Sequence, residues 1–65
     1  MNKGRTLQQF PRWNVDDLKL EGWLLVERFA KGQNAHGLIA LFRKGTARAG
    51  IVRKGDSFAL VEVIL

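Results

Sequence analysis

The residues with the clearest chemical capacity in this chain are cations. Arg43-Lys44 and Arg53-Lys54, with Arg48 between them, make its densest basic region. Guanidinium and ammonium groups neutralise phosphates and release the counterions condensed on them, and Trp13 offers a π face on which a base can stack. The same cations also suit solvated strand ends beside turn glycines. If they lie on strands, geometry divides them. Residues 43–44 and 53–54 then fall at opposite ends of one strand, roughly 20 Å apart at about 3.3 Å per residue. Lys31 and His36 join the 53–54 end, and Arg48, mid-strand among apolar neighbours, is the best single candidate for a contact.

Catalysis is not expected. With one His, one Ser and no Cys, no nucleophile–base pair or metal cluster can be assembled, and zinc needs about four ligands. Asp16 and Asp17 read as helix-start residues, favoured by the exposed N–H groups there. His36 reads as a solvated loop histidine. The Lys-Gly pairs at 31–32, 44–45 and 54–55 lack the length and helix context of a phosphate loop. Trp23 reads as a core anchor, and Glu62, on an otherwise apolar face, is expected to meet a basic residue across the sheet. No cofactor, metal or small-molecule substrate is implied.

The elements that position these side chains start with Thr6–Phe10 as a short edge strand, ended by Pro11. Met1–Arg5 reads as a flexible tail. Asn14 is a candidate N-cap for a helix over Val15–Glu21, which Gly22 would terminate. Strands follow at Trp23–Ala30, Gly37–Arg43, Thr46–Arg53 and Ser57–Ile64, punctuated by Lys44-Gly45 and Lys54-Gly55-Asp56. Short apolar segments with X-Gly punctuation at about ten-residue spacing are a meander pattern. A continuous helix through 15, 18, 22, 25, 26 and 29 competes for 23–30, against a penalty of about 1 kcal/mol for Gly22.

A turn at Lys44-Gly45 would oppose Phe42 to Ala47, Ala40 to Ala49 and Leu38 to Ile51. One face then carries Leu38, Ala40, Phe42, Ala47, Ala49, Ile51, Phe58, Leu60 and Ile64. The other carries Ile39, Leu41, Val52, Ala59, Val61, Val63 and Leu65, interrupted by Arg43, Arg48 and Gly50. An antiparallel sheet commonly leaves one face wet, whereas both of these are apolar. One short helix covers one of them. The second must be buried by curling into a small barrel, by the N-terminal segment or by another chain. Ile39, Leu41, Val61, Val63 and Leu65 are therefore candidate oligomer or partner contacts. The apolar last strand would be an open edge.

Leu18-Lys-Leu-Glu-Gly-Trp23-Leu-Leu-Val26 resembles the helix-Glu-Gly-Trp-strand junction of a family of small uncharacterised bacterial domains. That resemblance implies a helix leading into a hairpin, with which Leu41-Phe42-Arg43-Lys44 is compatible, and it implies no activity. Gly45-Thr-Ala-Arg-Ala-Gly50-Ile-Val-Arg53 is similar to the glycine-bracketed strand of ribosomal KOW-type modules over those nine residues.

The chain has 65 residues and a net charge of +5, from eleven Lys and Arg against six Asp and Glu. A single domain of this size buries roughly 60% of its unfolded surface, so its core is marginal. Without cysteine it relies on packing or association. The charge suits an acidic partner, and it also lies within the range of about 2–8 that keeps small domains soluble. No apolar run reaches the roughly 18 residues that span a bilayer, and no export signal is read at the N-terminus, so a cytoplasmic setting is expected. The expectation is an α+β domain, one short helix on a bent antiparallel β-meander that is small-barrel-like in one version. It is expected to bind nucleic acid or an acidic protein surface, with a homodimer among its assemblies. The alternative is a small interaction module or inhibitor, of phage or mobile-element type, that docks on a larger enzyme.

Overall fold

Local signals at 14 and 22 bound the helix. In the computed structural model, which describes residues 2–33 and 36–64, α1 runs Val15–Leu20. The Asp17 N–H donates to Asn14 Oδ1 at 2.8 Å, and Asn14 Nδ2 donates to Asp17 Oδ2 at 3.0 Å. These bonds satisfy one of the orphan donors of the first turn. At the other end Glu21 is the C-cap, Gly22 takes a φ of 97°, and the Trp23 N–H reaches back to the Leu18 carbonyl. The Gly22 N–H bonds the Lys19 carbonyl in the paired arrangement of a Schellman motif. This left-handed step turns the chain out of the helix. Residues beyond it therefore form β2, Leu24–Arg28, and not a continuation of α1.

The sheet holds β1 (Asn2–Phe10), β2, β3 (Leu38–Lys44), β4 (Ala47–Lys54) and β5 (Ser57–Ile64). All neighbours are antiparallel in the order β1-β5-β4-β3-β2. β2 to β5 form a meander, and the sheet is open, with β1 and β2 at its edges. Two expectations are corrected here. Asn2–Arg5 belong to β1, opposite the end of β5, so they are not a tail. β5 is consequently an interior strand and not an open apolar edge. The edge is taken by β1, whose Lys3, Arg5, Gln8 and Gln9 suit an exposed border.

The first tight turn also sits one residue later than expected. Lys44 pairs with Ala47 across Gly45-Thr46, which opposes Phe42 to Ala49 and Ala40 to Ile51. A slip by two leaves the faces unchanged. A register shift between Leu38 and Ala40 does change them locally, pairing Leu38 with Val52. Leu38 therefore packs on the second face and Ile39 on the first, the reverse of the sequence expectation. A bulge adds one residue to the alternation, and that moves the next side chain across the sheet.

Both faces are buried within the single chain. On the first, Leu18 and Trp23 from the helix end close over Ala40, Phe42, Ala49, Ile51 and Leu60, with Trp13, Val15, Phe10, Ile39 and Phe58 at the margin. On the second, Leu38, Val52, Ala59, Val61 and Val63 form a separate cluster flanked by Phe29 and Leu41. Register shifts in the β1–β5, β2–β3 and β3–β4 pairings bend the sheet, as bulges do. Val61 and Val63 are each only 5% exposed, so neither is an open contact surface. Leu41 is half-buried, and Leu65 lies outside the described residues.

Candidate nucleic-acid interface

Arg43 and Arg48 are brought face to face by the β3–β4 ladder. Ala49 opposes Glu62, so Arg48 falls beside Val63 one step further along, and Val63 opposes Lys3 on β1. Lys3, Val63, Arg48 and Arg43 thus form one row across four adjacent strands. At about 4.8 Å between strands the row spans roughly 14 Å. Lys3 and Arg43 are exposed and Arg48 is half-buried, while Val63 between them is buried. Arg5 lies in the irregular stretch between Lys3 and Thr6 on the same edge strand and adds an exposed cation beside the row.

The remaining expected cations are elsewhere. Lys44 lies over Trp23, its Nζ 4.8 Å from the ring centroid, and its chain covers the space beside Gly22. Arg53 donates through Nε to the Gly55 carbonyl at 3.0 Å, which ties it to the second turn. Lys54 pairs with Ser57 at the same end, six residues along β4 from Arg48, or roughly 20 Å at the usual rise. The separation into two patches is as read from the sequence. Arg48 is near the start of β4 and not in its middle.

Trp13 is half-buried, edge-on to Phe42 with centroids 6.1 Å apart, and Arg28 sits 5.6 Å above its ring. One side of the indole is therefore core and one face is capped by a cation. Trp23 is a core residue at 7% exposure. Glu62 is opposite Ala49 on β4 and beside the irregular Gly4–Arg5 stretch of β1. No family model, curated protein or solved structure matches this chain.

Among the described residues no group of three or more His, Cys, Asp or Glu is placed to hold a metal ion. No helix among them is long and apolar enough to cross a membrane. Lys3 and Arg5 were missed as site residues because they were read as tail. The alternation Lys3-Gly4-Arg5 is the available sign of a strand there, although the register shift between Lys3 and Thr6 interrupts it. A second exposed feature lies along β2 and the end of α1. Leu20 is 87% exposed, and Leu24, Leu25 and Val26 on the free edge strand β2 are also exposed.

Proposed function

We propose that this chain binds nucleic acid through phosphate contacts from the row Lys3–Arg48–Arg43. The observation that carries this reading is the direct opposition of Arg43 and Arg48. Like charges opposite one another on a sheet are unfavourable, and an anion placed between them turns that repulsion into two charge-assisted contacts. Lys3 continues the positive strip, and the net charge of +5 draws a polyanion towards it. Arg53 and Lys54 are a second, separate contact for a strand that follows β4. Trp13 is a packing residue in this reading, and no catalytic step is involved.

Size-exclusion chromatography with light scattering, with and without a mixed-sequence oligonucleotide, tests this. The expected result is a mass shift on oligonucleotide addition at low salt that disappears at high salt. A chain that stays unshifted at low salt overturns the proposal.

A second reading is supported by the β2 edge. Its unpaired backbone groups and exposed Leu24, Leu25 and Val26 suit strand addition by a partner protein. The open edge expected at β5 is filled by β1, so protein docking moves to β2. A complex with one protein, weakly sensitive to salt and abolished by charge at position 25, is its expected mark.

A further inference from the structure

The strand that supplies Lys3 is weakly held. β1 runs along β5 from Asn2 to Phe10, yet no side chain from Lys3 to Phe10 is buried, and of these Phe10 alone reaches a core cluster, at its margin. What holds β1 is therefore mainly its backbone ladder. That ladder is interrupted twice, between Lys3 and Thr6 and between Thr6 and Gln8, whereas β4 and β5 pair without a break from Ala49–Glu62 to Lys54–Ser57. The other edge strand, β2, is pinned at both ends, by buried Trp23 before it and Phe29 after it. β1 is pinned only at Phe10. Segments with few buried apolar contacts open locally, ahead of the whole domain. Opening of β1 about Phe10 bares β5 as an edge, and its Ala59, Val61 and Val63 are apolar.

Charge bears on the same movement. Lys3 lies on one face with Val63, Arg48 and Arg43. Two strand spacings, about 10 Å, separate Lys3 from Arg48. That is close to the Debye length of about 10 Å at 0.1 M salt, so the like charges still repel. Without an anion the row therefore disfavours the closed strand. A phosphate backbone laid across the row reverses the sign, because it meets Lys3 on β1 and Arg48 and Arg43 on β4 and β3 together. The closed form offers it one more cation than the open form. A ligand that binds one state more tightly shifts the population towards that state.

We propose that β1 is a strap closed by a polyanion: nucleic acid bound on Lys3, Arg48 and Arg43 holds β1 against β5, and its departure lets β1 open and bare the β5 edge. The inference rests on the nucleic-acid reading above and adds a conformational response to it.

Hydrogen exchange of the backbone amides, followed by NMR on the full chain with and without a saturating mixed-sequence oligonucleotide at low salt, tests it. Without oligonucleotide the β1 amides are expected to exchange ahead of those shared by β3, β4 and β5. Oligonucleotide is expected to slow them on the order of tenfold, within the usual range of coupling between a ligand and a two-state element. Lys3→Gln/Arg5→Gln, at an oligonucleotide concentration that saturates it, should lose most of that slowing. β1 amides that exchange only together with the rest of the sheet overturn the strap. Binding, read by anisotropy on the same samples, that leaves β1 exchange unchanged also overturns it, while phosphate binding stands. Slowing that survives the double substitution overturns the closure through the β1 cations. Absence of binding overturns both readings.

Discussion

The Leu38 side chain lies across β4 over Gly50, with Cδ2 2.5 Å from the point a Cβ at position 50 would occupy. That contact closes the second face without a covering helix. Leu38 is folded flat over the one position of β4 that has no side chain to resist it, and Val52, Ala59, Val61 and Val63 fill in around it. Gly50→Ala is therefore expected to destabilise by about 1–3 kcal/mol through overpacking. Each kcal/mol lowers Tm by about 4–8 °C in a domain this small. Leu38→Ala in the Gly50→Ala background should recover part of the loss, seen as a favourable coupling in a double-mutant cycle. Simple additivity in thermal melts would show that the two side chains do not compete for the same space.

The helix is defined by its ends, which predicts two sensitive positions on a largely exposed element. Asn14→Ala removes the acceptor for the Asp17 N–H and is expected to cost about 1 kcal/mol, with Asn14→Ser close to neutral. Gly22→Ala forces a side chain into a φ of 97° and is expected to destabilise by more than about 1 kcal/mol. Urea titrations of the variants measure both.

Trp13 separates packing from base stacking. Trp13→Leu keeps apolar bulk beside Phe42 but removes the indole beneath Arg28. Stability is expected to fall, while oligonucleotide affinity well below Tm stays within about twofold. A stacked base would lose roughly 1–3 kcal/mol instead. Anisotropy on the variant decides between them.

Charge on the β2 edge is expected to be tolerated. Leu25→Lys alters an exposed side chain away from the Lys3–Arg48–Arg43 row, so thermal melts should stay within about 0.5 kcal/mol of the parent and oligonucleotide binding should be retained. Loss of oligonucleotide binding in that variant would place the working surface at β2.

What could be read from the residues is what depends on neighbours in the chain. Asn14, Gly22 and the Gly45 and Gly55 turns each act within a few positions, so the helix and the two tight hairpins are legible. The choice between helix and strand for 23–30 turned on Gly22, whose left-handed φ the residue type permits but does not demand. The β1–β5 pairing joins opposite ends of the chain, and no local pattern marks it. For that reason Lys3 and Arg5 were read as tail and β5 as an edge. The shift at Leu38–Ala40 arises from how β3 meets β4, and alternation alone placed Leu38 and Ile39 on the wrong faces. Two of the three cations of the row, Arg43 and Arg48, are legible from density of charge. Its coherence with Lys3 became visible only through the register of three ladders.

The salt dependence of oligonucleotide affinity, compared between the parent and Arg43→Ala/Arg48→Ala, tests the central claim most directly. The three phosphate contacts of the row alone contribute about −2.1 to the slope of log K against log salt on single strands and about −2.7 on duplex. The double variant should bind more weakly and lose roughly two contacts from that slope, which leaves the row a contribution of about −0.7 on single strands. A slope and affinity unchanged by the double substitution would contradict the account, because the opposed arginines would then have no part in holding the phosphates.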